Sequence, residues 1–180
     1  MRLQIKANNQ NGFSLLELLI TLSLIAIISL ITIPSLKTFT QKSKQQILLS
    51  NLLHAISLTR SEAIANHERA MLCHSSDQQT CGGEWQDGFL ITTTERVLHS
   101  FQVISADGSL HWRAFPLSRE WLEFLPSGLT NAEHGTYWFC QNTVSYPVWA
   151  IVINRVGRVR VIVPDKDNKM IDAAGNNLEC

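Results

Sequence analysis

Residues 13 to 33 form a run of apolar side chains interrupted by a single formal charge, Glu17. A helix needs about 20 such residues to cross ~30 Å of hydrocarbon, so the run is long enough to span a bilayer. It argues against a purely soluble cytosolic protein. The segment Met1–Gly12 ahead of it is polar, with Arg2 and Lys6 and no acid. Taken alone, this pattern is an uncleaved signal anchor held by its basic end on the cytoplasmic side, with the rest of the chain exported. A cleaved secretory signal fits less well, because its apolar core is shorter and closes on small residues. Over the whole chain the charges balance, 15 Lys and Arg against 15 Asp and Glu. That excludes a histone-like or polyacidic protein, so a charged partner must be met by a local patch. The chain beyond Pro34 is long enough to bury its own core.

Gly12-Phe13-Ser14-Leu15-Leu16-Glu17 sharpens the reading. A carboxylate at the centre of a membrane costs roughly 2.5–3.5 kcal/mol, so Glu17 is a functional suspect. Its place in the first helical turn lowers that cost by some tenths of a kcal/mol. Cleavage after Gly12 would create an α-amino group on Phe13 able to neutralise Glu17 of the same or a neighbouring chain. The six residues resemble the class III signal of type IV pilins and type II secretion pseudopilins. The resemblance implies cleavage by a prepilin peptidase between Gly12 and Phe13, N-methylation of Phe13, and a role for Glu17 in assembly with other major and minor pilins. Pro34 falls where pilins commonly carry a helix-kinking proline, a residue that removes one intrahelical bond.

After Pro34 the pattern turns amphipathic. Leu49, Leu52, Leu53 and Ile56 follow a helical stripe that Ala63 and Ile64 continue. One helix is expected from Phe13 to Asn66, about 54 residues or ~81 Å. From Met71 the chemistry becomes β. Short runs rich in aromatic and β-branched residues cover 89–94, 97–104, 110–114, 121–125, 136–141, 148–154 and 158–163. Asp87-Gly88, Asp107-Gly108, Ser127-Gly128 and the stretch from Asn154 to Gly157 punctuate them. The expected fold is α+β, a long N-terminal helix packed on two small antiparallel sheets, with a polar, irregular tail from Asp165. Arg60-Ser61-Glu62-Ala63-Ile64 before a Cys-containing strand, then Trp85-Gln86-Asp87-Gly88-Phe89, is similar to the FimT/GspH group of minor pilins and pseudopilins. The resemblance implies a type IV pilin-like fold, with a leader at 1–12, a membrane and assembly helix at 13–34, and a globular domain at 35–180. It places the protein in the bacterial inner membrane, C-terminal domain periplasmic, and then in a pilus at the cell surface.

Four cysteines in an exported domain read as two disulfides, with three possible connectivities. Cys73–Cys81 with Cys140–Cys180 is favoured, because the first pair closes a local polar loop and the second ties down the tail. The rival is zinc on Cys73, His74 and Cys81, which lacks the paired spacing of a knuckle. There is no nucleophile elbow, no His-Glu-x-x-His and no phosphate loop, so the chain does not read as an enzyme, and it calls for no cofactor. The histidines at 54, 67, 74, 99, 111 and 134 share no metal-ligand spacing. Trp85, Trp112, Trp121, Trp138 and Trp149 are most simply core, although an exposed aromatic would stack a nucleobase.

One constellation remains. Between Glu133 and Asp165 there is no acid, and the only formal positive charges are Arg155, Arg158 and Arg160. They fall on a hairpin with its turn near Asn154–Gly157. Period-2 alternation sends Arg158 and Arg160 to one face, ~6.8 Å apart, and Val159 and Val161 to the other. That spacing is close to two steps of ~3.4 Å along one DNA strand. Arg155 adds a third planar fork suited to phosphate, and Gly157 permits the turn and leaves the backbone accessible. The plain alternative is an amphipathic hairpin with arginines for solubility or edge protection. Gly157-Arg158-Val159-Arg160 resembles the Gly-Arg-x-Arg motif of FimT-type minor pilins, which implies binding of double-stranded DNA during uptake for natural transformation. GspH-type pseudopilins imply instead a structural subunit of a filament without DNA binding. Arg60 and Arg113, outside the hairpin, serve as reference cations.

Overall fold

The computed structural model describes residues 14–103, 106–115, 117–131, 134–172 and 174–180, with the side chains of residues 30–32 and 34 outside that description. The proposed cleavage at Gly12 and Phe13 therefore lies outside the described residues, as does the side chain of Pro34. The chain divides into two units, Met1–Thr40 and Gln41–Cys180. One helix, α1 (Leu15–Asn66), contributes to both.

Ser14 starts α1. Its Oγ accepts the N–H of Glu17 at 3.2 Å, one half of a Ser-x-x-Glu capping box, which puts Glu17 in the first turn. In the first unit Leu15, Leu16, Leu18, Leu19 and Ile20 are all exposed, so apolar side chains surround the helix instead of forming a stripe. Thr21, Ser23 and Ser29 donate their hydroxyls to the carbonyls of Leu18, Ile20 and Ile25. These polar groups are thus satisfied within the helix, as an apolar environment requires. Among the described residues no helix is long and apolar enough to cross a membrane, and the expected span includes positions outside them.

In the second unit α1 buries Leu48, Leu49, Leu52, Ala55, Ile56, Thr59 and Ala63. This is the helical repeat with one substitution. Ile64 is 45% exposed, lying against Gly128, and Ala55 and Thr59 carry the stripe in its place. Thr59 tolerates burial because its hydroxyl donates to the Ala55 carbonyl at 2.7 Å.

Eight strands follow. They are β1 (Ala70–His74), β2 (Gly88–Thr92), β3 (Val97–Gln102), β4 (Gly108–Phe115), β5 (Leu122–Phe124), β6 (His134–Gln141), β7 (Pro147–Ile153) and β8 (Val159–Ile162). They form two four-stranded antiparallel sheets, ordered β3-β2-β1-β5 and β4-β6-β7-β8. Leu72, Phe89, Ile91 and Phe124 of the first sheet meet Tyr137, Phe139, Ile151 and Ile153 of the second in one core with the helix stripe. Fully burying each such side chain stabilises the fold by about 1.5–3 kcal/mol.

Alternation turns Trp138, Cys140 and Ala150 to the opposite face of the second sheet, where the tail covers them with Met170 and Leu178. The Trp138 indole N–H donates to the Glu179 carbonyl at 3.0 Å, and a Cys140–Cys180 disulfide fastens the chain there. The tail is irregular in secondary structure yet firmly seated. A Cys73–Cys81 disulfide closes the loop after β1. In that loop Asp77 accepts N–H bonds from Thr80 and Gln79, which hold its carboxyl well below the usual carboxylate range. With both cysteines bonded there, the zinc alternative at Cys73, His74 and Cys81 loses its thiolates, and no other metal-holding cluster occurs among the described residues.

Candidate nucleic-acid interface

The β7–β8 connection, residues 154–158, is built on a four-residue turn from Asn154 to Gly157. Its backbone closes with Gly157 N–H donating to the Asn154 carbonyl at 2.9 Å. Asn154 also uses its side chain, Oδ1 accepting N–H bonds from Val156 (3.2 Å) and Arg158 (2.8 Å). An asparagine bonding its own downstream backbone preorganises the turn.

Two contacts pin the tip from outside the hairpin. Thr130, in the loop after β5, donates its hydroxyl to the Arg155 carbonyl at 2.8 Å. Arg60, near the end of α1, donates to the Gly157 carbonyl at 3.2 Å. Gly157 sits beneath the turn at φ +75°, and a Cβ there would meet Phe124 Cε1 at 3.0 Å and the Gly128 carbonyl oxygen at 3.1 Å. The expectation that its backbone stays accessible is therefore corrected: Gly157 is buried, and it seats the turn instead of offering a contact. Arg60 is corrected too. It touches the turn and cannot act as an independent reference.

Arg155, Arg158 and Arg160 are all exposed and line one open groove of about 890 Å³. Its far wall is the tail around Ile171, Ala174 and Gly175. Among the described residues none of the three arginines has an ion-pair partner. Val159 packs toward the core as alternation demands, whereas Val161, on the sheet's edge, stays 40% exposed.

The register explains what else reaches this face. Arg113, Thr136, Val152 and Arg160 are successive partners across β4, β6, β7 and β8, so they form one row. Arg113 is thus a neighbour of the basic face and not a bystander. Its guanidinium donates to Asp172 Oδ2 at 3.0 Å and lies 5.1 Å over the Trp138 ring. Among the described residues Asp172 is the one carboxylate lining the groove, and its side chain is only 4% exposed. Burial alone would raise its carboxyl, but the N–H groups of Asn176 and Ala174 together with Arg113 outweigh that and lower it. The acid is therefore ionised and already compensated, so among the described residues the three outer arginines set the groove's sign.

Sequence reasoning located the arginines and the turn. It missed Thr130, the Asp172–Arg113 pair and the aromatic residues of this face, because each arrives from a different element through tertiary contact. Only Asn154 carried a local signal, an asparagine opening a tight turn.

The family profile described as Type II transport protein GspH matches residues 49–157, and the prokaryotic N-terminal methylation motif matches residues 7–33. Two crystal forms of the type IV minor pilin FimU of Pseudomonas aeruginosa (strain PAO1) share the fold. One has a TM-score of 0.53 at 19% identity, covering 69% of this chain and 92% of that one. The other has a TM-score of 0.50 at 18% identity, covering 65% and 91%. No curated protein sequence matches. With a family match over more than half its length and the methylation motif ahead of it, the chain belongs to the GspH family, a type IV minor pilin or pseudopilin and a structural protein, not an enzyme.

Proposed function

We propose that this minor pilin binds double-stranded DNA without sequence preference through Arg155, Arg158 and Arg160, for DNA uptake in natural transformation. The observation that carries the reading is the groove itself: three exposed arginines without ion-pair partners among the described residues, facing an acid that Arg113 already neutralises. Guanidinium forks capture phosphates, and such contacts position a duplex without specifying its sequence. The chain is cut by prepilin peptidase between Gly12 and Phe13 and methylated on Phe13. Residues 13–34 hold it in inner-membrane lipid before assembly, Glu17 directs its packing among other pilins, and residues 35–180 face the periplasm and then the cell surface.

Titration of the detergent-solubilised full chain with duplex DNA at several salt concentrations tests the interface. A Kd of about 1–100 µM is expected, with a log–log salt slope near −2.7, from about −0.9 per phosphate contact. Arg158→Gln and Arg160→Gln should each remove about one unit of slope, and Arg96→Gln, on the β2–β3 turn, should remove none. Unchanged binding by the double Arg158/Arg160 variant at low salt overturns the reading. The GspH match over residues 49–157 favours the second reading in that case, a structural pilin or type II secretion pseudopilin that acts in filament initiation without touching DNA.

A further inference from the structure

The outer face of the second sheet does not stop at the arginines. None of the tryptophans is exposed; Trp85, Trp138 and Trp149 are buried, and Trp112 and Trp121 are half-buried. The exposed aromatic on the sheets is Phe115, the last residue of β4, 51% exposed. Its cross-strand partner is His134, the first residue of β6, and the two rings stack with centroids 5.0 Å apart and planes 27° apart. With His134 against one side of the ring and half its surface in solvent, Phe115 presents a flat apolar platform.

This platform adjoins the basic groove. Phe115 lies in a hollow of about 230 Å³, and His134, Asp172 and Ala174 line both that hollow and the groove of the arginines. Three strand spacings of ~4.8 Å separate β4 from β8, so Phe115 stands roughly 14 Å across the sheet from Arg158. A single strand held at its phosphates by Arg158 and Arg160 reaches that far within two or three nucleotides.

We infer that the Phe115–His134 stack is a subsite for an unpaired nucleobase of DNA, adjoining the phosphate groove. The inference rests on the DNA reading above and deepens it. A base inside a duplex is already stacked on both faces, whereas an unpaired base at an end or overhang has a free π-face, and every base has one. The hollow is largely apolar on the Phe115 side, with Leu117 beside it, and among the described residues its one carboxylate is the compensated Asp172. It therefore favours a flat neutral ring over a second phosphate. The chain as a whole gains affinity for duplexes carrying a short single-stranded extension.

The test uses the detergent-solubilised full chain, a blunt duplex, the same duplex with a five-nucleotide thymidine overhang, and that overhang with abasic residues. The parent should bind the thymidine overhang at least five-fold more tightly than the blunt or abasic forms, within the range found for loss of base–aromatic stacking. Phe115→Ala should erase the preference and leave blunt-duplex affinity within two-fold, while Phe115→Trp should keep or increase it. Near-ultraviolet circular dichroism checks that the variants are folded. If Phe115→Ala lowers all three affinities equally, or the abasic overhang binds as well as the thymidine one, the subsite does not exist. The double Arg158→Gln/Arg160→Gln variant separates the two layers. Loss of all binding there with no effect of Phe115→Ala sinks the subsite alone, whereas retention of all binding sinks the phosphate groove and the subsite with it.

Discussion

β5 and β8 are both edge strands of four-stranded sheets, and they use charge in opposite ways. β5 carries Glu123, a buried acid that collects Arg69 at 3.5 Å, Arg119 at 3.4 Å and the Asn131 amide at 3.0 Å. Its charges close on one another and bind the loop after β5 to the strand. β8 carries Arg160, and Arg158 immediately precedes it; both close on nothing among the described residues and face a groove. Both strands satisfy the need to keep an exposed sheet edge charged. Only one leaves that charge free of ion pairs among the described residues.

Substitutions at the two edges separate their roles. The largest effect should come from the ties on either side. Replacing both Cys140 and Cys180 by Ser should cost about 4 kcal/mol in urea unfolding, since the loop is long, and should weaken DNA binding because the tail forms the groove's far wall. Replacing Cys73 and Cys81 should cost about 2.5 kcal/mol for the shorter loop and leave the salt slope untouched. Glu123→Ala comes next. It should cost about 1–3 kcal/mol by leaving its partners unmatched, with no change in DNA affinity. The double Arg158→Gln/Arg160→Gln variant should show the mirror image, with unfolding changed by under about 0.5 kcal/mol and binding lost. Equal stability losses at the two edges would erase the contrast.

Asp172→Asn should lower stability by about 1.5–3 kcal/mol at pH 7, the worth of a bond to a charged group. The sign of its pH dependence follows from the direction of its shift. In the fold the carboxyl titrates below its ordinary value of 3.8, so its contribution is complete above about pH 4 and fades as the pH falls through the lowered value. Parent and variant unfolding curves should therefore converge on acidification. The smallest effect belongs to Thr130→Val, about 0.5–1.5 kcal/mol for one hydrogen bond and a few-fold loss of DNA affinity, with the salt slope unchanged because no phosphate contact is removed. A slope that falls with Thr130→Val would mean the turn loses its arginines altogether.

Much of this fold was legible in sequence because periodicity carries it. The helix ends at Asn66 where its pattern ends, and the seven aromatic and β-branched runs correspond to β2 through β8, with bounds shifted by one or two residues. β1 received no bounds, since Ala70-Met71-Leu72-Cys73-His74 lacks alternation and directly follows the helix. Ile64 was misplaced because a stripe extrapolated through Ala63 ignores which neighbour is near, and Gly128 leaves room for it on the surface. The arginines were visible as an acid-free stretch. Their supports were not, since Arg60 and Thr130 lie some 97 and 25 residues from the carbonyls they hold. Arg60 and Glu62 together show why the helix end matters. Glu62 accepts from His99 Nε2 of β3 at 2.9 Å while Arg60 reaches the β7–β8 turn, so two residues of α1 address the two sheets.

The pinned tip has a mechanical consequence. A free edge hairpin pulled by its tip peels open, one ladder bond after another, at a force set by the weakest single bond. Here the carbonyls of Arg155 and Gly157 are tethered to the β5–β6 loop and to α1, and Gly157 is wedged against Phe124. Tension applied through the arginines is therefore shared at once with the helix and the opposite sheet, and the hairpin must shear away from all three before β8 can unzip from β7. If the hairpin binds DNA as proposed, a grip built in this way holds a taut polymer better than its equilibrium affinity alone would suggest.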